Sequence, residues 1–134
     1  MNNDKSGDLT VLIADDSAAL RERLVEIFSE VRGLNIVGLA EDVATATAAI
    51  AELKPEVVIL DIQMSGGTGI DVLCDLKRSY PSTVAIMLTN HLYPQYRQKC
   101  LELGADYFLS KSIDMQLLID IVRHLATAKD VIDE

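Results

Sequence analysis

Val57-Val58-Ile59-Leu60-Asp61 is a run of four aliphatic residues, three of them β-branched, that stops on a carboxylate. An apolar run of this length without polar alternation marks a strand covered on both faces, as in a parallel sheet. Leu9 to Ala14 is a second run of the same kind and stops on Asp15-Asp16. Between the two, Leu20, Leu24, Ile27, Phe28 and Val31 recur at helical spacing up to Gly33. Leu34 to Ala40 follows as a strand, and Val43, Ala46, Ile50 and Leu53 form a helical stripe stopped by Pro55. Beyond Asp61 the alternation continues. Ile70, Leu73, Cys74 and Leu76 make a helix closed by Tyr80-Pro81, and Thr83 to Thr89 make a strand. Pro94 opens a helix that runs to Leu103 with Gly104 as its C-cap, and Tyr107-Phe108-Leu109 is the fifth strand. Ile113, Leu117, Leu118, Ile121, Val122 and Leu125 line a last amphipathic helix.

Five strand–helix units with helical crossovers force parallel pairing, and right-handed connections put helices on both faces of the sheet. The expected fold is α/β: a doubly wound, flavodoxin-like five-stranded sheet ordered 2-1-3-4-5. The 134 residues fit a single domain, 1–134, with its core at about 9–128. Ligands of such a sheet bind beyond the carboxyl ends of the strands, near the switch point between the first and third.

Composition removes several classes of function. Twelve Lys and Arg against 21 Asp and Glu give a net charge of −9, which repels nucleic acid phosphate and anionic lipid. No run of apolar residues is long enough to span a bilayer, and the polar start Met1-Asn2-Asn3-Asp4-Lys5 leads into no signal sequence. Cys74 and Cys100 are far apart in sequence with no metal-binding spacing, so a reducing cytoplasm is the expected compartment. The C-terminal stretch Lys129 to Glu134 reads as a frayed or solvated end, with no room for an output domain.

The strand ends carry the chemistry. Asp15-Asp16 follow the first strand, Asp61 the third, Thr89 ends the fourth, and Ser110-Lys111 the fifth. Singly each has an ordinary reading: Asp16 before Ser17 as a helix cap, Asp61 as a turn cap, Thr89 as a β-former, Lys111 as a solvated charge. Together, three carboxylates in one crevice repel one another and need a compensating cation or a chemical use. An oxygen-only donor set selects a hard cation, Mg²⁺ by default, which with Lys111 would cancel the three negative charges.

These residues resemble those of the response-regulator receiver family of two-component signalling, from about Leu9 to Ala128. The matching stretches are Val11-Leu12-Ile13-Ala14-Asp15-Asp16, Val58 to Met64, Gly66-Gly67-Thr68-Gly69, Met87-Leu88-Thr89 and Gly104 to Lys111. The resemblance implies that Asp61 accepts a phosphoryl group from a sensor histidine kinase or a histidine phosphotransfer protein. It implies that Asp16 and Asp61 bind Mg²⁺ directly, Asp15 through water, and Gln63 through its backbone carbonyl. Thr89 and Lys111 would contact phosphoryl oxygens, and Phe108 would change rotamer on activation. The output would be a protein–protein contact made by the fourth helix, fifth strand and fifth helix, including Tyr93, Tyr96, Arg97 and Lys99. The chain would then be a switch, monomeric or dimerising on phosphorylation, rather than a turnover enzyme. A relay carrier and a receiver cut from a longer DNA-binding regulator are the alternatives.

Several positions depart from the family pattern. Ser112 follows Lys111 where proline is usual, so a cis peptide there would be non-proline and cost about 3–4 kcal/mol. Ser65 also replaces a frequent proline, and Asn90 stands where a small residue is usual. Gln63 and His91 match positions that tune phosphoryl lifetime, although His91 also reads as a plain loop histidine. Ser65 to Gly69 is a turn rather than a phosphate-cradling loop, because no Gly-Lys-Ser/Thr follows. A flavin module of this fold is disfavoured by Asp15-Asp16, which would oppose the flavin phosphate. A dehalogenase-like phosphatase would need an aspartate at Gln63.

Overall fold

The computed structural model describes residues 7–133, so the polar start Met1–Lys5 lies outside the described residues. The elements are β1 (Leu9–Ala14), α1 (Ala18–Phe28), β2 (Leu34–Ala40), α2 (Val43–Leu53), β3 (Val57–Leu60), β4 (Gln63–Met64), β5 (Gly67–Thr68), α3 (Gly69–Ser79), β6 (Val84–Thr89), α4 (Pro94–Glu102), β7 (Tyr107–Ser110) and α5 (Met115–Asp133). The main sheet is ordered β2-β1-β3-β6-β7 with every pair parallel, the 2-1-3-4-5 order expected from sequence.

The long apolar runs exist because both faces of the sheet are covered. Leu12, Val58, Leu60 and Met87 face one core with Ile50 of α2, Leu73 and Leu76 of α3 and Cys100 of α4. Their neighbours Val11, Ile13, Ile59, Ile86 and Leu88 face the other core with Leu24 and Phe28 of α1 and Leu118 and Val122 of α5. Alternate residues of one strand thus fill different layers, as the pleat requires.

Three local expectations are corrected, and one feature is new. Helix α1 stops at Phe28, not at Gly33: Glu30 and Val31 donate to Ile27 and Phe28 three residues back, which tightens the chain into turns. Val31 is still buried, so its place in the apolar stripe came from burial rather than helicity. Ile113 lies before α5 and is 77% exposed, because the Ser110 hydroxyl accepts from the Ser112 and Ile113 amides and holds that segment in a turn. Gln63–Met64 and Gly67–Thr68 pair as an antiparallel ribbon that no strand pattern announced. The end expected to fray from Lys129 onward is helical as far as Asp133, and Glu134 lies outside the described residues. Lys129 Nζ donates to the Asp8 carbonyl at 2.8 Å and pairs with Glu56 at 2.7 Å, tying α5 to the amino-terminal edge of the sheet.

Candidate functional site

Parallel strands deliver their carboxyl ends to one edge, and neighbouring strands deliver them side by side. Ala14 pairs with Leu60 across β1 and β3, so the next residues, Asp15 and Asp61, emerge as neighbours. The backbone continues the ladder there, with Asp61 N donating to the Ala14 carbonyl and Asp15 N to the Ala40 carbonyl. β1 lies where the strand order reverses, with β2 on one side and β3 on the other.

Asp15 and Asp61 are almost fully buried, at 3% and 4% exposure, while Asp16 beside them is exposed. Carboxylate oxygens of Asp15, Asp16 and Asp61 lie within 4.8 Å of one another. Lys111 reaches over from the end of β7 and bridges two of them, with Nζ 2.7 Å from Asp15 Oδ2 and 2.7 Å from Asp61 Oδ2. The remaining oxygens have softer partners. Asp15 Oδ1 accepts from Ser17 N at 2.8 Å, and Asp61 Oδ1 from Gln63 N at 3.4 Å. The structure therefore brings together Asp15, Asp16, Asp61 and Lys111. Ser17, rather than Asp16, is the N-cap of α1, accepting from Leu20 N at 3.2 Å.

Thr89 ends β6 opposite Ser110 of β7 and is completely buried. Its hydroxyl accepts from His91 N at 3.0 Å, and its carbonyl accepts from Lys111 N, which anchors the backbone of the lysine. Gln63 is exposed at the start of β4, held opposite Thr68. Phe108 is half-buried and packs against the core on the α2, α3 and α4 side. The Lys111–Ser112 peptide is trans, so the strained bond considered from the family pattern does not arise. A separate concavity of about 550 Å³, lined by Leu9, Lys54, Glu56, Tyr80 and Leu125 among others, lies at the opposite edge of the sheet, away from the carboxylates.

Electrostatics in the cluster are unbalanced. Burial pushes the Asp15 carboxyl above its ordinary value and the Asp61 charge adds to this, while Lys111 and the Ser17 amide oppose it without prevailing. Burial pulls the Lys111 ammonium down, but its hydrogen bonds to Asp15 and Asp61 outweigh this and hold it above its ordinary value. A folded carboxyl that is raised binds its proton more tightly than the unfolded chain does. Stability therefore declines as pH rises from 3.8 through the folded value. Asp15→Asn is accordingly expected to unfold at a higher temperature than the wild type at pH 7. That advantage should shrink as pH falls toward 3.8, as a series of thermal melts would show. An unchanged or lower melting temperature at pH 7 would mean that the bond to Lys111 outweighs the cost of burying the charge.

The donor set fits a divalent hard cation. It is made of oxygens only, it is compact, and three carboxylates against one ammonium leave two negative charges uncompensated, the charge that Mg²⁺ supplies.

Sequence reasoning found the charged residues because strand ends can be read from apolar runs. It missed Arg21, whose guanidinium donates to the Asp15 carbonyl at 2.6 Å. A lone arginine one turn into a helix carries no pattern that separates it from a solvated charge.

Comparison with known proteins agrees with this arrangement. Residues 11–123 match the response regulator receiver domain family. An uncharacterized response regulatory protein of Vibrio vulnificus is 35% identical over 120 residues, covering 90% of this chain and 48% of that protein. The response regulator domain of Thermotoga maritima CheB superposes with a TM-score of 0.79 at 28% identity, covering 90% of this chain and 97% of that one. A chain of the CheX–CheY–BeF3–Mg²⁺ complex of Borrelia burgdorferi does so with a TM-score of 0.80 at 27% identity, covering 90% and 96%. The chain spans about half the length of the first two curated relatives that it matches. Strand order, a carboxylate cluster at the switch point, a lysine across it and similarity over most of the length converge: the chain belongs to the response regulator receiver domain family.

Proposed function

We propose that this receiver takes a phosphoryl group onto Asp61 from a histidine kinase or histidine phosphotransfer protein in the cytoplasm, and that the modification switches a protein-binding surface. The observation that supports this most is the Lys111 ammonium held against Asp61 and Asp15, a cation already placed at the nucleophile.

In the transfer, a carboxylate oxygen of Asp61 forms the new bond to phosphorus. The bond from phosphorus to the donor imidazole nitrogen breaks, and the imidazole leaves with that electron pair. A carboxylate is a weak nucleophile, so positioning and charge neutralisation supply most of the rate. Mg²⁺, held by Asp16 and Asp61 with Asp15 and the Gln63 carbonyl in support, would offset the anionic cluster that otherwise repels an incoming phosphoryl group. Lys111, relieved of one carboxylate, can donate to a phosphoryl oxygen. The Thr89 hydroxyl, now an acceptor for His91 N–H, can turn its own proton toward another oxygen. That motion draws the β6–α4 segment inward, and half-buried Phe108 on the adjacent strand responds to the space it leaves. The surface of α4, β7 and α5, with exposed Tyr93 at its start, is the proposed contact for a downstream protein or a second copy.

The roles of metal and phosphoryl ligands can be separated. Asp16→Asn removes a proposed metal ligand, so calorimetric Mg²⁺ affinity should fall about tenfold or more, and labelling by acetyl phosphate should slow with it. Thr89→Ala should leave Mg²⁺ affinity nearly intact while labelling slows. Equal loss of metal affinity in both would refute this division of roles. Failure of the wild type to gain a phosphoryl group with Mg²⁺ present would refute the reading itself.

A further inference from the structure

We propose that Arg21 is a positioning residue for the carboxylate cluster, gripping the Asp15–Asp16 backbone so that both side chains are held for a divalent cation. The inference rests on the reading of that cluster as a Mg²⁺ site.

Arg21 sits on the first turn of α1, its amide bonded to the Ser17 carbonyl. Its guanidinium turns back under the loop, where Nη1 donates to the Asp15 carbonyl at 2.6 Å. That carbonyl belongs to the peptide joining Asp15 to Asp16, so one bond fixes the backbone between two members of the cluster. On the other side Nη2 lies 3.9 Å from Glu41 Oε2, and the arginine side chain is only 16% exposed. A charged donor to a carbonyl is stronger than a neutral one.

The same short segment also braces the other half of the site. Next to Glu41, Asp42 forms a bridge with Ser65, and Val43 N donates to the Ser65 carbonyl at 3.1 Å. Ser65 lies in the ribbon turn that follows Gln63. Residues Glu41–Val43 contribute nothing to the carboxylate cluster, yet they tie the loop after β1 to the loop after β3. On the β1 side the Asp15 amide bonds the Ala40 carbonyl at 3.0 Å, and the Arg21 side chain lies beside Glu41.

Charge and positioning predict opposite effects at this residue. As a positive charge beside the cluster, Arg21 opposes a bound cation, and its removal would tighten binding. As a support for the ligand backbone it favours the cation, and its removal would weaken binding. Supports behind metal ligands typically change affinity by about 10- to 100-fold. Positioning dominates here because the guanidinium bonds the ligand backbone directly, at 2.6 Å from the Asp15 carbonyl.

The test is Mg²⁺ titration by calorimetry of the wild type, Arg21→Met, Arg21→Lys and Glu41→Gln, each first shown to be folded by circular dichroism. Arg21→Met should bind Mg²⁺ about tenfold more weakly or worse. Arg21→Lys should be intermediate, since an ammonium keeps the charge but lacks the planar guanidinium that bonds the Asp15 carbonyl. Glu41→Gln, which leaves the bond to the Asp15 carbonyl, should lose less than Arg21→Met. Affinity that is unchanged or tighter in Arg21→Met would overturn the inference alone. Should Arg21→Met not fold, wild-type affinity in folded Arg21→Lys would overturn it equally. No Mg²⁺ binding by the wild type would overturn the metal reading, and this inference with it.

Discussion

Asp61→Asn is expected to take up no phosphoryl group from acetyl phosphate under conditions that label the wild type, as intact mass would show. The amide has the same shape as the carboxylate but carries no charge, so it lacks the electron density that attacks phosphorus. It also deprives Lys111 of one of its two anionic partners, both 2.7 Å away, and the cluster of one of its three carboxylates. The neighbours are poor substitutes. Lys111 bonds both buried carboxylates, but the free oxygen of Asp15 is held by Ser17 N at 2.8 Å where that of Asp61 meets Gln63 N only at 3.4 Å, and Asp16 is exposed at the margin. Undiminished labelling of the variant would place the acceptor elsewhere.

Gly69→Ala is expected to damage both stability and phosphorylation. Gly69 begins α3, and its amide donates to the Ile62 carbonyl at 2.7 Å. A Cβ built there collides with the carbonyl oxygen of Asp61 and comes within 2.8 Å of its carbonyl carbon. The obstacle is backbone, so no side chain can swing aside, and the chain must shift at the residue that carries the chemistry. Overpacking of this kind costs about 1–3 kcal/mol, readable by urea denaturation. A displacement of about 1 Å at a nucleophile can cost on the order of 100-fold in rate. A variant as stable and as quickly labelled as the wild type would show that this close approach does not position Asp61.

Much of the fold was legible because its central strands are buried on both faces. The runs Leu9–Ala14 and Val57–Leu60 carry their own boundaries, since an apolar run in such a sheet ends where the layer ends. The convergence of Asp15, Asp16, Asp61 and Lys111 followed from topology, because parallel strands deliver their last residues to one edge. What escaped was decided by contacts distant in sequence or by backbone geometry. Gly66, Gly67 and Gly69 looked alike, yet the first two supply positive φ in the ribbon turn while Gly69 supplies clearance for Asp61. Ile113 fits the spacing of α5 but is held outside it by the Ser110 hydroxyl, a bond no periodicity encodes. Lys129 read as a solvated charge because its partners, Asp8 and Glu56, are 121 and 73 positions away.

The most direct test of Asp61 as the phosphoacceptor is to locate the modification chemically. An acyl phosphate is reduced by borohydride to the corresponding alcohol, which turns a phosphorylated aspartate into homoserine. The wild-type chain, treated with acetyl phosphate and Mg²⁺, reduced and then mapped by peptide mass spectrometry, should carry homoserine at position 61 and nowhere else. Homoserine at Asp15 or Asp16, or a labelled protein that yields none, would contradict the account.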